Sequence, residues 1–171
     1  AVYSIIPHRV LEFTLEGEGD IGFRDVARTE WALAGYPACH GGLRGGAPAV
    51  LKDGLAWLFC HSVHDGPGGY RYAAAACCFS AQPPFAPTAQ PMRPLRLSNP
   101  FGERRTFARL NPAVGEVIYP CGAAWDGARW LISLGFNDDY CAISRHCAAD
   151  VESTLGPIAA DATHTMTAPR A

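Results

Sequence analysis

The chain has 171 residues, a formal net charge of −2, and 49% hydrophobic against 18% charged residues. This length corresponds to one domain or to part of a larger one, and the excess of apolar side chains predicts a folded core. The sequence lacks the clustered Lys and Arg residues of a nucleic-acid-binding protein and the apolar run of about 18 residues that a transmembrane helix needs. We therefore expect a soluble cytoplasmic protein without nucleic-acid or membrane partners.

Short apolar runs separated by turn residues dominate the chain. Its 18 Gly and 14 Pro residues divide it into segments without helical periodicity, which is typical of strands. The fold is therefore predicted to be all-β, with a short helical turn capped by Asp150. In chain order, the predicted strands are Val2 to Ile6, Arg9 to Leu15, Leu55 to Val63, Tyr70 to Phe79, Trp130 to Phe136 and Tyr140 to Cys147.

An internal repeat is the most informative feature of the sequence. The segment Val50 to Phe59 recurs 73 residues later as Ala123 to Ile132, and each copy contains an apolar run, an Asp-Gly dipeptide and a Trp-containing run. Asp-Gly favours a tight type I′ hairpin, because both central residues of that turn have positive φ. Each copy follows a Pro and precedes a Tyr-containing strand, so the sequence predicts a repeated unit of about four strands.

Repeated four-stranded antiparallel units are typical of β-propellers, in which each unit is one blade. Residues 1–155 are predicted to form about two and a half blades, because a third unit at the start lacks its first strand. We expect residues 82–115 to connect two blades and residues 156–171 to be a disordered tail. The start at Ala1 suggests a fragment, so we expect the N-terminal half of the ring, or a second copy, to cover the open blade faces.

The seven cysteines are expected to be free. Their number is odd and no C-x-x-C pair is present, while most lie in apolar runs where Cys acts as a small hydrophobe. This pattern is typical of a reducing compartment. Cys141, His146 and Cys147, like the pair Cys39 and His40, are metal-ligand types without zinc spacing, so we expect neither a metal nor a cofactor.

Three motifs near the predicted ends of inner strands carry candidate binding residues. Arg44 lies in the glycine-rich segment Gly41 to Gly46, where glycine allows close approach of a ligand and the guanidinium offers a fork of donors to anions or hydroxyls. His61 ends an apolar run, and Asp138 belongs to a polar turn. Each has a simpler interpretation, namely a flexible loop, a structural histidine in the core and an ordinary Asn-Asp turn.

Two apparent catalytic pairs are excluded by geometry. Cys60 and His61 are adjacent in a predicted strand, so their side chains point to opposite faces. Asp138 and Asp139 are adjacent as well, whereas the two carboxylates of a glycosidase flank one bond across a gap.

Taken in order, the motifs resemble glycoside hydrolase family 130, five-bladed β-propellers that include β-mannoside phosphorylases and β-1,2-mannosidases. The family pattern has a basic residue before a Gly pair, an apolar strand ending in Tyr-His, a Pro-Cys-Gly turn and a Tyr-Gly strand followed by Asp. The resemblance covers roughly residues 1–155 and is carried by Leu43 to Val50, Trp57 to Ser62, Tyr72 to Phe79, Val117 to Ala123 and Leu134 to Asp138.

The resemblance implies that Arg44 and His61 contact a phosphate and that Asp138 binds the sugar beside the cleaved bond. The implied reaction is inverting: phosphate or water attacks the anomeric carbon while an Asp protonates the leaving oxygen through a sugar hydroxyl. The family's acid lies in the first half of the ring, so no catalytic residue is expected in this chain, which is expected to be inactive alone. Cys60 and Leu134 stand where the family has Tyr.

The leading hypothesis is the C-terminal half of a carbohydrate-active propeller that supplies the sugar and phosphate pocket, with inorganic phosphate as co-substrate in a phosphorylase. The alternative is a non-catalytic glycan-binding propeller module of a larger polysaccharide-related protein. A third interpretation is a small β-domain that dimerises to cover its open faces. An Asp in an early Asp-Pro-Arg-like motif of the complete protein would favour the enzyme.

Overall fold

The computed structural model describes residues 1–67, 69–97, 116–158 and 163–167. This part of the chain is all-β, with two short helices, α1 (Tyr36–His40) and α2 (Ala148–Glu152). No helix in these ranges is long and apolar enough to cross a membrane. The strands are β1 (Val2–Ser4), β2 (His8–Glu16), β3 (Asp20–Trp31), β4 (Gly42–Arg44), β5 (Val50–Lys52), β6 (Leu55–Gly66), β7 (Gly69–Ser80), β8 (Pro87–Pro91), β9 (Glu116–Trp125), β10 (Arg129–Phe136), β11 (Tyr140–Cys147), β12 (Leu155–Pro157) and β13 (Thr163–Thr167).

The strands form three groups, which we call the N-terminal, central and C-terminal sheets. The N-terminal sheet has the order β1-β2-β3-β13, and every pair in it is antiparallel. In the central sheet, β4 and β5 both pair with β6, followed by β7, β8 and β12. The C-terminal sheet has the order β9-β10-β11. In the described part, the central sheet thus has six strands and the C-terminal sheet has three, so neither is the predicted unit of about four strands.

A short parallel contact joins the central and C-terminal sheets. Strand β7 pairs with β9 through Arg71 with Glu116 and Tyr72 with Val117, and no further pairs follow along these strands. Beyond this contact the two sheets pack against each other through their side chains.

The central sheet is buried on both faces. Because alternate residues of a strand point to opposite sides, Trp57 and Phe59 of β6 face the C-terminal sheet, while Leu58 and Cys60 face the N-terminal sheet and α1. Strand β7 divides in the same way between the two apolar clusters. One apolar cluster therefore lies on each side of the central sheet: the C-terminal sheet contributes to the first, and α1 together with Ile5 and Trp31 contributes to the second.

Tryptophans from the two copies of the repeat meet in the layer between the central and C-terminal sheets. Trp130 is completely buried, and its ring centroid lies 5.3 Å from that of Trp57 and 5.0 Å from that of Phe59. The Lys52 ammonium lies over the rings of Trp57 and Trp125, where a cation–π attraction is expected. Equivalent positions of the repeat thus contact each other across the two sheets.

The first Asp-Gly dipeptide forms the predicted hairpin turn. Lys52 pairs with Leu55, which leaves Asp53 and Gly54 as a two-residue loop with φ values of 52° and 75°. Positive φ at both positions is the signature of a type I′ turn. The prediction of such a turn is confirmed at this position.

The second Asp-Gly dipeptide forms a wider loop, so the prediction of a type I′ turn is wrong there. Trp125 pairs with Trp130, which leaves four residues between the strands. The Oδ1 atom of Asp126 accepts hydrogen bonds from the backbone amides of Ala128 at 2.8 Å and Arg129 at 2.6 Å. The aspartate side chain therefore closes a loop that the backbone alone closes in the first copy.

Strands also form where the sequence predicts irregular chain. Strand β8 lies in the predicted connection 82–115 and pairs with β7, while residues 98–115 lie outside the described ranges. The prediction of a disordered tail is wrong for β12 and β13, which pair with β8 and β3. These short segments lack a hydrophobic pattern of their own and are held by the backbone groups of a neighbouring edge strand.

Two other elements differ from the sequence predictions. Strand β3 was not predicted, because its twelve residues are rich in charged side chains that lie on an exposed sheet face. Helix α2 begins at Ala148 with Cys147 in the N-cap position, so Asp150 lies in its first turn and is not its cap.

Candidate functional site

Arg44 and His61 lie directly opposite each other in neighbouring strands. Strand β4 pairs with β6 through Gly42 with Val63, Leu43 with Ser62 and Arg44 with His61. Residues that are directly opposite in an antiparallel pair project from the same face of the sheet. His61 is 5% exposed, whereas Arg44 is exposed, so a charged group lies at the surface beside a buried imidazole.

The glycines around Arg44 serve mainly to bring the loop close to the protein's own backbone. A Cβ on Gly41 would overlap the carbonyl group of Val63, and a Cβ on Gly46 would lie 2.7 Å from the carbonyl oxygen of Phe59. Gly45, in contrast, borders open space. Packing against the protein's own backbone therefore accounts for Gly41 and Gly46, and the approach of a ligand to this loop remains a prediction.

Two tyrosines flank the His61 ring. Its centroid lies 4.5 Å from the ring centroid of Tyr119 in β9 and 5.6 Å from that of Tyr72 in β7. The Nδ1 atom of His61 is buried and has no hydrogen-bond partner among the described residues. A buried polar atom without a partner is rare in folded proteins, which makes His61 a candidate for a ligand contact.

Burial lowers the pKa of His61, and the positive charge of Arg44 acts in the same direction. A hydrogen bond with the Gly45 backbone opposes both effects on this pKa. The imidazole is therefore neutral near neutral pH and has one nitrogen that donates and one that accepts a hydrogen bond. The permanent positive charge of the site is that of Arg44.

Asp138 lies in the turn between β10 and β11. Asn137 and Asp138 have φ values of 53° and 58°, in the left-handed region that Asn and Asp tolerate better than most residues. The Asn137 side chain accepts a hydrogen bond from the Val117 amide at 2.9 Å, and its own amide donates to the Val117 carbonyl at 2.9 Å. This double contact attaches the turn to the start of β9, and Asp138 remains exposed.

Of the three predicted site residues, the structure pairs Arg44 with His61, whereas Asp138 is connected to them through other residues. Arg44 and His61 meet through the β4–β6 register, while the turn with Asp138 reaches them indirectly through β9. Val117, to which the turn is bonded, pairs with Tyr72, and Tyr119 lies two residues further along the same strand. The candidate site is therefore defined as Arg44 and His61 with their two tyrosines, and Asp138 at its edge.

The two tyrosines were missed as site residues. Tyr72 lies near the start of β7. Tyr119 is distant from His61 in the sequence, and only the parallel contact between β7 and β9 brings its ring next to that of His61. The sequence signal for Tyr119 is the motif Tyr119-Pro120-Cys121-Gly122, which directly precedes the second copy of the repeat. A guanidinium, a neutral imidazole and two phenol rings form a surface suited to hydroxyl groups and oxyanions.

The cysteines do not contribute to this site. Cys60 is buried against the N-terminal sheet, on the face opposite to His61, as predicted. The seven cysteines are free thiols, of which Cys60, Cys77 and Cys78 are buried. Within the described ranges, no group of three or more His, Cys, Asp or Glu side chains is arranged to hold a metal ion.

Comparison with known proteins does not assign the chain. No model of a protein family matches it, and no curated protein matches its sequence.

Proposed function

We propose that this chain is part of a carbohydrate-binding β-propeller that resembles glycoside hydrolase family 130. In this proposal, Arg44 and His61 bind a phosphate or another oxyanion, and Asp138 binds a hydroxyl of a neighbouring sugar. Tyr119 and Tyr72 supply aromatic surface for the sugar ring, since binding sites combine such surface with a few placed polar groups.

The observation that carries the proposal is the cross-strand pair of Arg44 and His61 beside two tyrosine rings. Arg44 offers five N–H donors in a fixed fork, a geometry that matches phosphate oxygens. The unpartnered Nδ1 atom of His61 adds a buried polar atom beside the guanidinium. The arrangement favours an anion site over the interpretation of Arg44 as part of a flexible loop. Arg44 lies in a strand and directly opposite a buried histidine, which a solvated loop arginine would not need.

The packing of the central sheet against the C-terminal sheet, with a second apolar cluster on its other side, supports the ring arrangement of the proposal. In propellers, successive blades pack through their faces, and ligands bind near the central channel. The contact between Trp57 and Trp130, at equivalent positions of the repeat, is consistent with two successive blades. We assign the N-terminal, central and C-terminal sheets to consecutive blades.

Catalysis is not assigned to a residue of this chain. The resemblance places the acid outside the matched segments, so the proposal for the complete protein is a mannoside phosphorylase or hydrolase. A binding-only module would use the same arginine and tyrosines for glycan recognition. The dependence of sugar binding on phosphate distinguishes the two.

Isothermal titration calorimetry of the 171-residue chain with inorganic phosphate and with a β-mannobiose tests the proposal. We expect Arg44→Gln to weaken phosphate binding by about tenfold or more, because a charge-assisted hydrogen bond is lost. Mannobiose binding in the absence of phosphate should change by less than about twofold in this variant, whereas Tyr119→Ala should weaken it. Arg145→Gln, at an exposed position of β11, is the matched control and should bind both ligands normally.

The titration of His61 gives a second, independent readout by NMR. Phosphate bound beside the ring favours the protonated imidazole, so the pKa of His61 should rise on addition of phosphate. Unchanged phosphate affinity in Arg44→Gln, together with an unchanged His61 titration, would overturn the anion site. If the affinity for mannobiose is the same with and without phosphate, the result favours the binding-only module.

A further inference from the structure

A second polar cleft lies away from the candidate site, between α2 and the segment that follows β8. It has a volume of about 400 Å³ and shares no lining residue with the site around Arg44. The polar side chains that line it are Arg93, Arg96, His146, Asp150, Ser153 and Thr154. This volume is within the range of small-molecule sites.

Backbone hydrogen bonds hold the walls of the cleft in place. The Met92 amide donates to the Thr154 carbonyl at 2.8 Å, and the Leu95 amide donates to the Ala74 carbonyl of β7 at 2.9 Å. Leu95 is 5% exposed and contributes an apolar surface to the cleft. Arg93 therefore lies between two fixed backbone positions, and Arg96 directly follows the second of them.

The guanidinium groups in the cleft have unused hydrogen-bonding capacity. The Nη2 atom of Arg93 donates to the Ser153 hydroxyl at 3.1 Å, and the Ser153 hydroxyl donates to the Asp150 carbonyl at 2.8 Å. Among the residues that the structure describes, no carboxylate forms an ion pair with Arg93 or Arg96. Toward the described residues, most of the donors of Arg93 and Arg96 therefore remain unused.

Two further groups shape the charge of the cleft. His146 contacts the Ser144 hydroxyl through Nε2 at 2.6 Å, and burial lowers its pKa, while the Asp150 carboxylate opposes that shift. With His146 neutral, the cleft carries two positive charges and one negative charge. Asp150 is exposed at its rim and can accept hydrogen bonds from hydroxyl groups.

We propose that this cleft binds the phosphate group of a small hydroxylated molecule such as a sugar phosphate. Arg93 and Arg96 hold the phosphate oxygens through charge-assisted hydrogen bonds. Asp150 accepts hydrogen bonds from the hydroxyls of the attached polyol, and Leu95 contacts its carbon skeleton. The surplus of positive charge selects a phosphorylated over an unphosphorylated sugar.

Calorimetric titrations with glucose 6-phosphate, inorganic phosphate and glucose test this site. They are run in an Arg44→Gln background, so that the site of the proposed function does not contribute. We expect glucose 6-phosphate to bind and glucose not to bind at the same concentration. Replacement of Arg93 and Arg96 by Gln should weaken glucose 6-phosphate at least about tenfold, because each charged hydrogen bond contributes strongly to affinity.

Arg129→Gln in the same background is the matched control, since this exposed arginine does not line the cleft. The ring resonances of His146 should shift when glucose 6-phosphate is added, and thermal unfolding checks that the variants are folded. Asp150→Asn separates the two phosphate sources, because it should affect glucose 6-phosphate more than inorganic phosphate. The proposed site would be overturned if replacing Arg93 and Arg96 left the affinity for glucose 6-phosphate equal to that of the control. Unshifted His146 resonances would overturn it as well. Both results are independent of whether the Arg44 site binds phosphate.

Discussion

The central sheet and the β2–β3 hairpin use similar aromatic residues in opposite environments. Phe59 in β6 is completely buried between the central and C-terminal sheets. Phe13, Leu15, Ile21 and Phe23 in the hairpin are between 56% and 76% exposed, and Phe13 pairs with Phe23 across the two strands. Strands thus form in this protein with and without burial, and we expect the buried ones to contribute more to stability.

The difference follows from what covers each sheet. Both faces of the central sheet are in contact with another sheet, so each residue between Trp57 and Ser62 is buried. The hairpin extends past the edge of that stack and exposes a row of apolar side chains. Exposed apolar rows of this kind are typical of surfaces that contact another protein surface.

Removing a buried ring should have the largest effect. We expect Phe59→Ala to lower the free energy of unfolding by about 3–5 kcal/mol, because it removes a fully buried side chain and leaves a cavity beside Trp130. Phe23→Ala, the matched substitution in the hairpin, should cost less than about 1 kcal/mol, most of it from the lost pair with Phe13. Urea denaturation of both variants measures this difference, and similar losses would contradict the comparison.

Acid should lower the free energy of unfolding through His8, which connects the β2–β3 hairpin to the central sheet. His8 at the start of β2 is completely buried and stacks on Phe79 of β7, with ring centroids 3.8 Å apart, and burial lowers its pKa to about 4. The unfolded chain therefore binds more protons than the folded chain between pH values of about 6.5 and 4. Stability falls by about 3 kcal/mol as the pH is lowered through this range.

The variant His8→Phe keeps a ring at this position and removes the titrating group. Its unfolding free energy should depend less on pH than that of the unmodified protein, measured by urea denaturation at about pH 7 and about pH 4.5. A smaller dependence should remain, since the pKa values of His61 and His146 are also lowered. Identical pH profiles for the two proteins would show that His8 is not the sensitive group.

A smaller effect is expected where the glycine loop meets the central sheet. Gly46→Ala places a methyl group 2.7 Å from the Phe59 carbonyl oxygen and 3.0 Å from that of Pro120, and should cost about 1–3 kcal/mol through overpacking. Gly45→Ala introduces the same group into open space and should be nearly neutral. Thermal unfolding of the pair distinguishes a packing role of the loop from general flexibility, which predicts equal effects.

Several features of the fold were predictable because they depend on local chemistry. Apolar runs bounded by Gly and Pro predicted the six named strands, and Asp53-Gly54 predicted its turn. Strand alternation placed Cys60 and His61 on opposite faces, as the structure confirms. The sequence indicated both Arg44 and His61, but only the register between β4 and β6 shows that they lie opposite each other.

The remaining features depend on contacts between distant segments. The same dipeptide closes a different loop at Asp126, because Trp125 pairs with Trp130 and the strand register decides the loop length. Strands β12 and β13 exist because edges of other strands bind them, and their own residues show no strand pattern. Tyr119 reaches His61 only because β9 runs parallel to β7 at its start.

The amino-acid sequence by itself determined the all-β character, the repeat and the residues that carry charge near its strand ends, since backbone preferences and side-chain alternation act over a few residues. The tertiary structure alone decided which sheet faces are covered, which tyrosines flank His61 and where Arg93 and Arg96 form a cleft with α2. Such contacts join segments far apart in the chain, and their free energy depends on surfaces that exist only once the sheets have stacked.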